Sequence, residues 1–208
     1  VTPTILVLGF SKGATQSDIY STGNFNDVAF GGDKTRENLT NILQKVLLLK
    51  QNETVEQKIR EGETEFAFGS LIRCSVSRYD EVKSRKRGFG VYSTSGALIV
   101  KSFKEISPVI RNCTDKFLSS LPKALRLIIM LGVTDSYIKS CRELMNGLHS
   151  EGFHIINEVA YANDDYVWVH LTHPSKGNGT IDAWLNGASD AVNECSRNRK
   201  SGYKRGFI

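Results

Sequence analysis

The stretch ILVLGFSKGA, Ile5 to Ala14, decides how the rest of the chain is read. Ile5 to Leu8 are four consecutive apolar residues, which predicts a short buried strand. They run directly into Gly9-Phe10-Ser11-Lys12-Gly13. The two glycines carry no Cβ, so the backbone there is free to turn sharply and to approach a ligand closely. Ligands of α/β sheets bind at the carboxyl ends of strands, where this turn is expected. A strand followed by a plain flexible loop would read the same way in isolation. Much later, a second predicted strand, Tyr166 to Leu171, ends directly in Thr172-His173-Pro174-Ser175. The two strand ends gain meaning together.

Between them, helical and strand periods alternate. Leu39, Ile42, Leu43, Val46 and Leu47 recur at helical spacing and predict a helix over Thr35 to Leu49, capped by Asp33 or Thr35. Glu53 to Arg60 reads as a second, short helix, and Phe66 to Ser75 as a strand rich in aromatic and β-branched residues. Ser77 to Tyr92 reads as the most charged loop, centred on Lys83-Ser84-Arg85-Lys86-Arg87-Gly88. Further helices are expected over Pro108 to Leu121, Tyr137 to His149 and Thr180 to Glu194. Leu125 to Leu131 (LRLIIML) reads as a buried parallel-type strand ending at Gly132, and Phe153 to Val159 as another strand. The alternation predicts an α/β class: a three-layer α/β/α sandwich around a central, mainly parallel sheet of four to five strands.

The 208 residues suit one domain with a full-sized core, so residues 1–208 are expected to form a single unit. With 40% hydrophobic and 24% charged residues the composition is that of a globular chain, which argues against disorder. No apolar run is long enough to predict a membrane span. The chain opens without Met or a signal-like segment, and reads as a trimmed piece of a longer cytoplasmic protein, bacterial or archaeal. Its net charge of +5 is unevenly spread. Arg73 to Lys104 holds eight basic residues against two acidic ones, marking a basic insertion at about 77–104. The tail at about 197–208 holds five more and no acid. Basic charge gathered in two segments suggests a polyanionic partner, nucleic acid foremost. The polar, Gly-rich Thr15 to Asp33, with Phe25 and Phe30 set in it, reads as a functional loop.

A first strand ending in Gly-x-x-x-Gly and a late strand ending in His-Pro-Ser resemble the uracil-DNA glycosylase superfamily. Val28-Ala29-Phe30-Gly31 looks like that family's Pro-Phe-Gly segment, and Leu131-Gly132 like its Leu-Leu-Gly strand end. Ile72-Arg73-Cys74 looks like the Val-Lys-Cys of the iron–sulfur (thermostable-type) branch. The resemblance implies that Gly9, Phe10, Ser11 and Gly13 cradle a flipped base and the attacking water, and that Phe30 stacks on the base. It implies His173 as the catalytic donor to the leaving base, with Ser175, Lys176 and Asn178 contacting DNA. Such an enzyme takes its base out of the stack and needs donors aimed at the base oxygen where negative charge develops. Phosphate contacts are expected from Lys12, Arg73, Lys83, Arg85, Lys86 and Arg87.

The departures bear on substrate. Lys12 stands where most relatives carry Pro, and the water-positioning site falls at Phe10 or Ser11, neither a useful base. Asp18 is the nearest carboxylate and the candidate water-orienting residue. Ser70 replaces the expected base-reading Asn, implying a roomier pocket and a modified pyrimidine or deaminated purine rather than plain uracil. The apolar wedge of many relatives is missing from Lys176-Gly177-Asn178-Gly179.

No Cys-x-x-Cys pair occurs among Cys74, Cys113, Cys141 and Cys195. By resemblance, Cys74 and Cys113 correspond to the third and fourth ligands of a 4Fe–4S cluster, the first two lying upstream of Val1. Buried, reduced thiols are the plainer reading. The expectation is a monomeric, monofunctional DNA glycosylase. A non-catalytic or covalently trapping DNA-binding member of the same fold is the alternative. A P-loop nucleotide hydrolase and a serine hydrolase lack their motifs.

Overall fold

The computed structural model describes residues 3–13, 30–60, 62–94 and 96–186. In chain order the elements are β1 (Ile5–Lys12), α1 (Asp33–Lys45), α2 (Val55–Lys58), β2 (Phe66–Ser75) and β3 (Arg78–Tyr79). There follow α3 (Glu81–Arg87), β4 (Tyr92–Ser93), α4 (Gly96–Glu105), α5 (Ser107–Leu118), β5 (Leu127–Leu131) and α6 (Asp135–Leu148). The last are β6 (His154–Ile155), β7 (Ala160–Ala162), β8 (Val167–Leu171) and α7 (Ile181–Asn186).

Six strands form one sheet of order β2-β1-β5-β8-β7-β6. β2, β1, β5 and β8 are parallel; β7 and β6 extend the sheet antiparallel. Strand alternation splits the apolar side chains between two cores. Val7, Ile129, Leu131, Val169 and Leu171 pack with Leu39, Ile42 and Leu43 of α1 and Trp184 of α7. On the other face Leu8, Phe10, Ile128, Met130 and Trp168 pack with Ile110 and Leu118 of α5 and with Tyr137, Cys141 and Met145 of α6. The result is the three-layer α/β/α sandwich, with a central sheet larger than expected.

Within Phe153 to Val159 only His154–Ile155 (β6) is a strand, and the extra strand is β7, which follows at Ala160–Ala162. Asn157 accepts the Val159 amide through its side chain (3.0 Å), and the resulting turn separates β6 from β7. β1 also differs from expectation. It does not turn at Gly9 but runs on to Lys12, pairing Gly9 with Ser70, Ser11 with Ile72 and, after a bulge, Lys12 with Ser75. Its pairing with β5 stops earlier, at Leu8–Met130. Past that point β1 keeps only β2 as neighbour, so the sheet opens between β1 and β5 at its carboxyl edge.

Ser77 to Tyr92 is likewise ordered rather than a loop. The Asp80 side chain caps α3 by accepting the Lys83 amide (3.0 Å), and Gly88, in the left-handed region at φ 72°, ends it. The Lys83 amide, then its ammonium, holds the Asp80 carboxyl below its ordinary pKa. α1 is capped by Gly32 (φ 100°) rather than by Asp33 or Thr35, and it ends before Leu47, which turns to φ 63°. The predicted last helix is described only as far as Asn186.

No helix among the described residues is long and apolar enough to cross a membrane. The element after β1 packs on one face and that after β5 on the other, which makes the β1/β5 edge a topological switch point, the usual ligand crevice of α/β sheets.

Gly132, which ends β5, is the residue this edge tolerates least in altered form. Its φ of 143° is outside the range of L side chains, and a Cβ would lie 2.7 Å from the buried Tyr137 ring. Gly132→Ala is therefore expected to lower stability by at least ~2 kcal/mol, strain and overlap adding, as read from urea unfolding. A change below about 0.5 kcal/mol would contradict this packing.

Candidate active site

Three strand ends meet at the carboxyl edge: Lys12-Gly13 at the end of β1, Gly132-Val133-Thr134 after β5, and Thr172-His173-Pro174-Ser175 after β8. The edge is tied together around Gly132. Its amide donates to the Leu171 carbonyl (2.8 Å), and its carbonyl accepts the Nδ1 proton of His170 (2.9 Å). His170 Nε2 then accepts from the Tyr161 hydroxyl (3.2 Å), so both ring nitrogens of this buried histidine are used. Tyr137 stands edge-on to the same ring at 5.8 Å. Burial pushes the His170 pKa down to about 4, against the Gly132 hydrogen bond, which raises it.

That network carries the loop after β8. His173 is half-buried, and its Nδ1 accepts the Ser175 amide (3.1 Å). The neutral ring therefore keeps its proton on Nε2, as a donor. Burial lowers the His173 pKa below its ordinary value, which favours the neutral ring near pH 7. Asn178 closes the loop from the other side. Its amide group donates to Thr172 Oγ1 (2.9 Å) and to the His173 carbonyl (2.6 Å), while its Oδ1 accepts from the Thr180 amide and hydroxyl. Asn178, expected to contact DNA, is thus engaged in holding the loop. Asn38, buried on α1, donates to the Pro174 carbonyl (2.9 Å) and braces the loop from below.

The first motif is placed as follows. Gly9 faces Phe30, whose Cε1 would lie 3.4 Å from a Cβ at that position; the missing side chain lets the ring rest on the strand. Phe30 is buried, edge-on to Phe68 at 6.0 Å. Phe10 points to the opposite core, against Phe103 and Tyr137, which corrects its expected place beside a base. Ser11 and Lys12 are half-buried and Gly13 is exposed. Ser70 pairs with Gly9 across the strands, and its hydroxyl donates to the Ile72 carbonyl (2.9 Å). Asp18, Val28, Ala29 and the basic tail lie outside the described residues.

The basic residues are on the surface. Arg73 lies over the Phe117 ring at 4.7 Å. Lys83 pairs with Asp80 (3.1 Å) and Arg85 with Glu81 (2.5 Å), while Lys86, Arg87 and Lys176 are exposed. Exposed ion pairs of this kind contribute little and rearrange easily for a phosphate.

Cys113 Sγ accepts the Arg73 amide (3.2 Å), and Cys74 is exposed. Cys141 is buried in the α6 core, where desolvation pushes its thiol pKa up and disfavours the thiolate a metal needs. Among the described residues no three His, Cys, Asp or Glu side chains gather where a metal would bind. A 4Fe–4S cluster takes four thiolates, so the described donor set does not fit one.

Asn38, Tyr161 and His170 escaped the sequence reading. A histidine within Val-Trp-Val-His-Leu, on a strand buried on both sides, demands partners, and that was the available signal.

His170 gives the fold a pH dependence with a definite sign. In the unfolded chain it takes a proton near pH 6.5, in the fold only near pH 4, so stability falls as pH drops through that window. The full loss is about 3 to 4 kcal/mol, from ~1.4 kcal/mol per pH unit between an unfolded 6.5 and a folded value of about 4. Thermal melts of His170→Gln between pH 7 and 4 are expected to show a smaller acid-induced drop than the parent; equal drops would refute the assignment. No family model matches this sequence, nor does any curated protein.

Proposed function

We propose that the chain is a DNA glycosylase, which flips a damaged or modified base out of DNA and hydrolyses its N-glycosidic bond to leave an abasic site. The observation that supports this most is the state of His173. Its ring is kept neutral, with Nε2–H as the free donor, at the end of the strand beside the switch-point crevice. As the bond breaks, the base departs with the electron pair and the sugar becomes cation-like. A preoriented N–H beside the base oxygen stabilises that anion where it forms. Water adds its hydroxyl to the sugar carbon, and its proton goes finally to the departed base.

In this reading Gly9, Ser11, Gly13 and Phe30 wall the base, Ser70 lines its edge, and Asp18 orients the water. Lys12, Arg73, Lys83, Arg85, Lys86, Arg87, Ser175 and Lys176 hold the phosphates, and Asn178 acts by shaping the His173 loop. The small Ser70 and Gly69 favour a modified pyrimidine over plain uracil. The setting is cytosolic and the protein acts as a monomer. A second reading, a DNA-binding module without catalysis, is favoured by one observation: Gly9 to Gly13 carries no carboxylate to direct a water.

The test is alkali cleavage of single- and double-stranded oligonucleotides bearing uracil, hypoxanthine, or hydroxymethylated or glucosylated cytosine. One substrate is expected to yield abasic sites, with His173→Ala slower by about 100-fold or more. Because the neutral ring is the working form and its pKa is lowered, the rate should stay level from pH 8 to 6.5 and fall only below that. Release by His173→Ala at the parent rate would sink the assignment. DNA binding without release from any substrate would establish the binding-module reading instead.

A further inference from the structure

Between β2 and α4 the chain builds a small unit, β3–α3–β4, that serves neither core. Tyr79 and Tyr92 are opposite one another across the two short strands, edge-to-face with ring centroids 5.6 Å apart. They are 52% and 65% exposed, and Phe89, just past the end of α3, is 62% exposed. The rings are not on a slack loop. Ser84, buried, donates to the Asp80 carbonyl (2.6 Å) and accepts the Val91 amide (2.8 Å), fixing α3 to β4. Thr94 donates to the Val76 carbonyl (2.6 Å), and Arg78 pairs with Glu105 of α4 (2.5 Å). Three large aromatic side chains thus project into solvent from an ordered unit that also carries Lys83, Arg85, Lys86 and Arg87.

We infer that this unit is a docking surface for single-stranded DNA, an inference that rests on DNA being the ligand of the proposed glycosylase. A duplex offers phosphates but hides its base faces, so it would engage the cations and leave the rings idle. Unstacked bases offer faces to the rings while their phosphates meet the cations, the combination that non-specific single-strand binders use. An apolar protein partner would have no use for the four cations. The placement agrees. β3 starts just beyond the carboxyl end of β2, on the same sheet edge as Gly13, Gly132 and His173. Three strand spacings, about 14 Å, separate β2 from β8 along that edge. A strand stacked on Tyr79, Tyr92 and Phe89 has only to follow the edge to reach the His173 loop.

The test is fluorescence anisotropy of the full chain with a labelled deoxythymidine oligomer and with a matched duplex, at several salt concentrations. Tighter binding of the single strand is expected. Phe89→Ala and Tyr92→Ala should each weaken it by about five- to a hundredfold, while Tyr92→Phe, which keeps the ring, should bind as the parent does. Lys86→Gln should reduce the slope of log affinity against log salt by about 0.7. Equal or tighter duplex binding, or aromatic variants that bind normally, would overturn the inference. A Tyr92→Phe protein as weak as Tyr92→Ala would overturn it too. Base release by the parent from a short duplex reports on the His173 site alone, so failure here and failure of the glycosylase reading are told apart.

Discussion

The carboxyl edge of the sheet depends on the hydrogen bond from His170 Nδ1 to the Gly132 carbonyl. It joins His170, on β8, to the residue just past Leu131, the last paired position of β5. Glycine is required because the φ of 143° and the Tyr137 ring leave no room for a Cβ. Histidine is required because one nitrogen must donate to Gly132 while the other accepts from Tyr161. With both ends pinned, the segment after β8 starts from a fixed point. Asn178 above and Asn38 below then determine where His173 stands. Three polar side chains, His170, Asn178 and Asn38, thus set the geometry of the His173 loop.

The same edge shows how strand pairing by itself makes a crevice. β1 and β5 are partners as far as Leu8 and Met130, after which β1 continues alone with β2. Parallel strands whose following helices lie on opposite faces separate at their ends, and ligands of α/β proteins use that gap. Gly9, resting under Phe30, sits on the first turn of that divergence. The Phe30 ring rests there within van der Waals reach of the backbone.

Much of this was legible in the sequence, unevenly. The runs Ile5–Leu8 and Leu125–Leu131 read as buried strands because they are almost wholly apolar, and burial on both faces erases polar residues; the second begins at Leu127 in the fold. α1 declared itself by apolar spacing. Where burial is one-sided, the reading faltered. Lys83 to Arg87 looked like a loop because nearly every residue of α3 faces water; Ser84 alone is buried. Phe10 looked like a site residue because motif position said nothing of which face it takes, and strand pairing past Gly9 turned it into the α6 core. Asn38 and His170 contact partners distant in sequence, Pro174 and Gly132, and no local pattern announces such pairs.

The strand order has a consequence for how the chain acquires its structure. β1 is among the earliest elements in the chain, yet its inner neighbour is β5, with Ile5 opposite Leu127. Only β2 is nearer in sequence, and β2 is an edge. The central pair of the sheet thus closes a long stretch of chain before either strand has its full complement of hydrogen bonds. Contacts so widely separated slow the search for the native state, because loop closure costs entropy before any non-local contact forms. On a ribosome, β1 would have only the edge strand β2 to pair with until the sequence through Leu131 had emerged.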